Sequence, residues 1–362
     1  MQKNCLKYPV EFVEDAFGES DAVAKMLGAE DEGRRVLIVA DHNVVQRTEG
    51  LGTKIGRYVQ ERGIALAASP VVIGGGEKIK VDGFQSALRV VTAIADANIG
   101  RADAVLAIGG GAMLDVAGWA AAQSGGVPIV RVPTTPEAMR SAAFADYAAL
   151  DAPAVKDAMR VPSVPAGVVV DTSFASTVLD GVWRGGIGEA VCLGLARDAS
   201  FFKKVLSLAS GYRNREQEAL DALVRGAFAV RTKKGATTLA LWSALKLQAM
   251  SGWKLPHGYA VSIGVLVDLA YAVEAGTVPS DVLEAVLSLF GTCGTLDGLM
   301  HSQYLLRQAE TLATGLDDWR RMSPDGSVEL LAAVGKTKST EGPEPGFLAQ
   351  ALKSLSSLTV PL

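Results

Sequence analysis

Short apolar runs, each closing on a small or polar residue, recur through the first half of the chain. Arg35–Ala40 runs into Asp41, Pro70–Ile73 into Gly74-Gly75-Gly76, and Ala104–Ile108 into Gly109. Pro128–Val132 runs into Pro133-Thr134-Thr135, and Gly167–Val170 into Asp171. Runs rich in β-branched residues, without polar alternation, predict strands buried on both faces of a parallel sheet. Helical spacing over Phe84–Ala97 and Leu114–Gln123 falls between them. Strands alternating with helices predict right-handed crossovers, with ligands bound at the carboxyl ends of the strands. Asp41, Gly75, Gly109 and Thr134 all stand at such ends.

Beyond about Val182 the period changes. Glu189–Ala209, Glu216–Val230, Leu239–Met250, Val261–Ala275, Ser280–Phe290 and Ser302–Ala313 repeat apolar positions at helical spacing. No run there reads convincingly as a strand, and Ser339–Gly346 reads as a loop. The fold expected is an α/β, Rossmann-like parallel-sheet domain over 1–181, followed by an all-α domain over 182–362. A length of 362 residues suits two cores better than one.

Composition narrows the function. A hydrophobic share of 49% excludes a disordered chain, and a net charge of −4 gives no electrostatic footing for nucleic acid. Cys5, Cys192 and Cys293 lie too far apart for a zinc knuckle or a disulfide framework, which fits a reducing cytoplasm. Met1–Pro9 lacks the apolar core of a signal peptide, and the apolar stretch Ala260–Val273 is broken by Asp268 and is too short to cross a bilayer. The expectation is a cytoplasmic protein that acts on a small molecule.

The richest stretch is Val105–Trp119, an apolar strand that ends in Gly109-Gly110-Gly111 and passes into a helix carrying Asp115. Glycines there would permit positive φ and let backbone N–H groups approach a ligand. The positive end of the following helix suits a pyrophosphate. The spacing differs from the G-x-G-x-x-G fingerprint.

This glycine-aspartate segment, with Pro133-Thr134-Thr135 downstream, resembles dehydroquinate synthase and the sugar phosphate cyclases. More distantly it looks like the glycerol dehydrogenase group. The likeness continues through Val39–Asn43, Gly75–Lys80, Gly188-Glu189-Ala190 and Leu255–Gly258, in the family's order. It implies NAD as cofactor, with Asp41 and Asn43 on the adenosine half and Glu77 and Lys80 closing over that half. Gly109, Gly110 and Gly111 would cradle the pyrophosphate, Asp115 would reach the nicotinamide end, and Thr134 and Thr135 would add hydroxyls. It also implies a homodimer paired through the nucleotide domains.

The chemical half departs from the family. The resemblance implies a divalent metal held by one Glu and two His, with Glu189 and His257 at the first and last places. The family's helix carries two histidines four apart, in a pattern like Gly-His-Trp-Ser-Ala-His-Lys-Leu. Ala240–Leu247 keeps that frame through Trp242, Ser243, Ala244, Lys246 and Leu247, but Leu241 and Leu245 stand at both histidine positions. Leucine has no lone pair to ligate with. Cys192 stands for a family lysine, Tyr147 and Asp151 for a lysine and an asparagine near the phosphate, and Tyr259 for a glutamate. Lys336 and Lys338 match the family's C-terminal lysine pair weakly. Each lost charge-assisted hydrogen bond is worth about 1.5–3 kcal/mol, so a phosphate would be held weakly. No complete metal site is expected, with Glu189 and His257 as remnant ligands and His301 read as a surface residue.

The leading expectation is therefore a diverged, NAD-binding, cyclase- or lyase-type enzyme of specialised metabolism that acts on a less anionic substrate. Glu189, His257, Cys192 and Tyr147 are its candidate polar groups, with Glu189 or His257 as general base and Tyr259 as proton donor. Two other readings stay open: an inactive family member that partners an active paralogue, and an alcohol oxidoreductase of the glycerol dehydrogenase type.

Overall fold

The computed structural model describes residues 7–29, 31, 33–323 and 325–358, so Cys5 and most of the N-terminal stretch lie outside the described residues. The chain divides into two compact units, Leu6–Ala152 with Asp157–Leu179, and Asp180–Leu362 with Pro153–Lys156.

The first unit is built on a parallel sheet. Its strands are β1 (Val10–Phe12), β2 (Arg35–Asp41), β3 (Ala65–Leu66), β4 (Val71–Ile73), β5 (Ala104–Gly109), β6 (Ile129–Pro133) and β9 (Gly167–Val170). All five apolar runs become parallel strands, in the order β1-β9-β6-β5-β2-β3, with β4 also on β2. β5, β6 and β9 are buried at every position, which is why their sequences do not alternate. β7 (Tyr147–Ala152) and β8 (Val155–Pro162) form a separate pair that the apolar pattern did not announce. The helices of this unit are α1 (Ala22–Leu27), α2 (His42–Arg47), α3 (Leu51–Glu61), α4 (Gln85–Asp96) and α5 (Gly111–Gln123).

The chain leaves β2 for β3 and β4 on one side, then returns to β5 on the other and continues outward to β6 and β9. The sheet therefore reverses direction between β2 and β5. Such a switch point opens a crevice at the strand ends, because the two connecting loops leave in opposite directions. Asp41 and Gly109 stand on its two sides.

The second unit is mostly helical. It holds α6 (Asp180–Gly185), α7 (Ile187–Arg197), α8 (Ala199–Ser207), α9 (Ala209–Arg213), α10 (Gln217–Lys234) and α11 (Leu241–Met250). It continues with α12 (His257–Glu274), α13 (Ser280–Cys293), α14 (Leu296–Leu306), α15 (Ala309–Met322) and α16 (Pro345–Ser356). α12 is buried from Gly258 to Ala272 and is packed by α7, α11, α13 and α16. A helix apolar all round belongs at the centre of a core.

Three local expectations need correction. The helix read over Glu189–Ala209 breaks at Asp198, whose carboxylate accepts the Ser200 and Phe201 amides and starts α8. The helical unit also contains an antiparallel pair, β10 (Val328–Ala333) and β11 (Lys336–Thr340). Ser339 and Thr340, read as loop, are in that pair, and Pro345 opens α16 with Glu344 capping the Gly346 and Phe347 amides. Among the described residues no single helix is long and apolar enough to cross a membrane.

Candidate functional site

At the sheet switch point the backbone is packed too closely for side chains. A Cβ on Gly75 would overlap the Asp41 carboxylate and the Asn43 amide, and one on Gly109 would lie 2.6 Å from Met113 and 2.9 Å from Asp41 Cβ. A Cβ on Gly110 would lie 3.0 Å from Thr135 Cγ2, and one on Gly111 3.1 Å from Ala142 Cβ. The expectation that these glycines serve positive φ is corrected. Gly110 is extended, at φ −75° and ψ 175°, and Gly109 and Gly111 are not left-handed either. They are glycine because strand end, helix start and Thr135 crowd one another.

Asp41 ends β2 and caps α2, its Oδ1 accepting the Asn43 amide at 2.8 Å. Burial pushes its carboxyl above the usual range, against the pull of those hydrogen bonds. Thr134 is fully buried, and its Oγ1 has no hydrogen-bond partner among the described residues. An orphaned hydroxyl beside a crowded glycine turn is what a missing phosphate or ribose would satisfy. The Thr135 hydroxyl is engaged, accepting the Ala138 amide at 3.2 Å. This cradle fits a dinucleotide.

Lys80 does not stand open to such a ligand. It is buried at the end of the short 3₁₀ turn Glu77–Lys80, with Nζ 2.6 Å from Asp115, 2.7 Å from Asp157 and 3.4 Å from Asp151. Desolvation opposes its charge, but the facing carboxylates, with Glu77 further off, hold it protonated well above the lysine range. The expectation for Lys80 is corrected accordingly: it binds Asp115, the residue expected at the nicotinamide end, to the β7–β8 pair. Asp157 takes a left-handed backbone, φ 52°, and its amide donates to Asp151 at 2.8 Å. Tyr147 lies under Arg160, 4.6 Å from guanidinium carbon to ring centroid, and burial raises its phenol strongly. A phenol so held is a poor proton donor at neutral pH.

In the helical unit, the end of α6 and the start of α7 pack on the start of α12 through glycines. A Cβ on Gly258 would lie 2.5 Å from the Gly185 backbone, and one on Gly188 3.0 Å from the Gly258 carbonyl. This close packing brings Glu189, in the first turn of α7, to His257, the first residue of α12. Glu189 Oε1 and His257 Nε2 lie 3.6 Å apart, both largely shielded. His257 Nδ1 is 2.8 Å from Oε1 of Gln248 on α11. Leu241, Leu245 and Gln248 share one face of α11, at i, i+4 and i+7. Gln248 was missed in the sequence, although its place on the face of the two leucines was a readable signal.

The remaining candidates lie elsewhere. Cys192 is buried, its Sγ donating to the Leu239 carbonyl at 3.1 Å, and burial lifts its thiol well above the usual range. A thiol so buried is weakly nucleophilic. Tyr259 is buried with its ring against Gly298, Gly185 and Gly181, and its charged neighbours are Arg184, Asp297, Asp180 and Arg213. Burial raises its phenol above the ordinary range. His301 is exposed on α14, with Nδ1 2.7 Å from the Asp297 carbonyl of its own helix. Lys336 and Lys338 are exposed on β11.

A family model described as 3-dehydroquinate synthase N-terminal matches residues 70–184. The 3-dehydroquinate synthase of Pyrobaculum islandicum is 30% identical over 284 residues, covering 71% of this chain and 81% of that protein. The 2-epi-valiolone synthase of Actinosynnema mirum is 26% identical over 327 residues, covering 87% and 83%. The solved 2-epi-5-epi-valiolone synthase of Streptomyces hygroscopicus, with NAD+ and Zn2+ bound, superposes with a TM-score of 0.78 at 21% identity over 97% of each chain.

Proposed function

The chain belongs to the 3-dehydroquinate synthase family of sugar phosphate cyclases, and from that membership we propose an NAD-binding enzyme that acts on a polyhydroxylated substrate less anionic than a sugar phosphate. The observation that carries this is the α11 face. Leu241 and Leu245 stand on it beside Gln248, which holds His257, so the two leucine positions supply no ligand atom. Transferring a phosphate dianion beside two leucines would cost its hydration without new hydrogen bonds.

NAD bound at the glycine cradle would supply a hydride acceptor. The chain's own residues do the rest. Asp41 would take the ribose hydroxyls, since a carboxylate accepts two hydrogen bonds, and the Gly110–Gly111 amides would face the pyrophosphate. Asp115, fixed by Lys80, would orient the far end of the cofactor. Glu189 Oε1 or His257 Nε2 would accept the proton of a substrate hydroxyl. Phosphate elimination by the family's metal-assisted route is not part of this reading. Family membership also supports a homodimer paired through the α/β units, which light scattering tests.

The deciding experiment incubates the protein and NAD with matched polyhydroxy ketones, one phosphorylated and one not, and follows product by mass and released phosphate by colorimetry. Conversion of the neutral member is expected. Phosphate release without conversion of the neutral member would overturn the reading. Net NADH from a simple alcohol would favour the oxidoreductase alternative, and NAD binding without any turnover the inactive-partner alternative.

A further inference from the structure

We propose that Arg160 is a specificity-determining residue, a guanidinium held over the Tyr147 ring to receive a singly charged carboxylate of the substrate. The proposal rests on the substrate being polyhydroxylated and less anionic than a sugar phosphate, and it names the acidic group that substrate carries.

The fold leaves the donors of this side chain unused. Arg160 lies on β8 with 26% of its side-chain surface exposed. Its guanidinium carbon sits 4.6 Å from the ring centroid of Tyr147 on the paired strand β7. Among the described residues the guanidinium makes no hydrogen bond. Its Nε is shielded without a partner, and Asp157 Oδ2 stands 3.6 Å from the other end, at Nη2. A guanidinium placed only to pair with Asp157 would close to about 2.7–2.9 Å, the usual distance of a charge-assisted hydrogen bond. Cation–π attraction holds it over the ring instead, and that attraction uses no oxygen acceptor. A planar fork of donors positioned in this way matches the two oxygens of one acid.

The surroundings select the charge of that acid. Lys80 Nζ joins Asp115 at 2.6 Å and Asp157 at 2.7 Å, with Asp151 at 3.4 Å. Three carboxylates thus share one ammonium, and Arg160 is a second cation at the edge of the cluster. A phosphate dianion would meet twice the repulsion from these acids that a carboxylate meets, for the same fork of hydrogen bonds. The contacts from Asp115 through Lys80 and Asp157 to Arg160 all lie in the α/β unit. They lead from the residue expected at the nicotinamide end to the guanidinium, so an acid held there would anchor the substrate near that end. A neutral polyhydroxy ketone makes no use of Arg160 and would be converted with a higher KM.

Titration calorimetry, with and without NAD, tests this by comparing five- to seven-carbon aldonates with the matching alditols and alditol phosphates. An aldonate should bind at least about tenfold more tightly than its alditol and its phosphate, a difference of about 1.4 kcal/mol. Arg160→Gln should abolish that preference while alditol and NAD binding stay as they are. Arg160→Lys should recover part of it, because an ammonium keeps the charge and lacks the fork. Tyr147→Ala should weaken aldonate binding, and Tyr147→Phe, which keeps the ring, should not. Aldonates that bind no better than their alditols, alditol phosphates that bind more tightly, or a preference intact in Arg160→Gln would each overturn the proposal. If the glutamine variant does not fold, the wild-type series and Arg160→Lys decide. Binding is read without turnover, so the two failures separate. Loss of the aldonate preference while the neutral ketone is still converted removes this proposal alone, and conversion that requires the phosphorylated ketone removes the functional reading.

Discussion

Asp268 accepts the Trp242 indole N–H at 2.9 Å in the buried centre of the helical unit. Its other oxygen takes the Ala240 amide at 2.7 Å. Ala240 is left-handed at φ 68°, an unfavourable conformation for a residue with a Cβ, and this carboxylate holds it at the start of α11. One buried acid thus anchors the helix that carries Leu241, Leu245 and Gln248. It is also the residue that interrupts the long apolar stretch of α12.

Burial pushes the Asp268 carboxyl up to about 7, against the two hydrogen bonds that favour its charged form. A carboxyl raised in the folded state binds more protons there than in the unfolded chain. Its contribution to stability is present below the unfolded value of about 4 and is lost as pH rises through about 7, at roughly 1.4 kcal/mol per pH unit across that window. Denaturant melts of wild type and Asp268→Asn from pH 4 to 8 should diverge in slope accordingly. Parallel curves would show that the group does not titrate there. Asp268→Ala strands the Ala240 amide and the Trp242 indole, and should cost about 2–4 kcal/mol.

Gly110→Val should weaken NAD binding at least tenfold, about 1.4 kcal/mol. The first added carbon already meets Thr135, and the branches would stand in front of the α5 amides. Titration calorimetry reads the change, and circular dichroism confirms that the variant is folded. A wild-type protein giving no heat with NAD or NADH would remove the cofactor from the account altogether.

Lys80→Met removes the buried cation that Asp115, Asp151 and Asp157 share, while Arg160 stays 3.6 Å from Asp157. Removing one partner of a buried ion pair typically costs about 3–5 kcal/mol. Chemical denaturation should show a loss of that order. A loss below about 1 kcal/mol would place the cluster with exposed pairs of little consequence.

Protein purified without chelator should contain well under one zinc or cobalt per chain. Glu189 and His257 are the two donors that converge in the helical unit, and catalytic zinc normally takes three protein ligands. Leu241→His with Leu245→His should raise metal affinity, because both positions share the α11 face with Gln248. Elemental analysis decides: stoichiometric metal in the wild type would mean that a donor from outside this unit completes the site.

Much of the α/β unit was legible because strand burial and glycine crowding write themselves into short stretches of chain. Val105–Gly111 announces both a buried strand and a tight turn. The β10–β11 pair was not legible: Val328–Ala333 is too brief for a period of two to separate from a helical one. Cys192 and Tyr259 are buried, which residue type in a sequence does not announce.

The sequence by itself determined the parallel order of local elements, the glycines at the switch point and the family frame of Glu189 and His257, all of which depend on residues a few positions apart. Only the tertiary structure decided what those residues do. Lys80 meets carboxylates 35, 71 and 77 positions away, Asp268 reaches back 28 positions to Ala240, and Gln248 reaches the Leu255 carbonyl and the His257 ring at once. Periodicity records the backbone's local geometry. The partner of a buried polar group is chosen by the packing of whole elements, and the need to satisfy every buried donor and acceptor then fixes it.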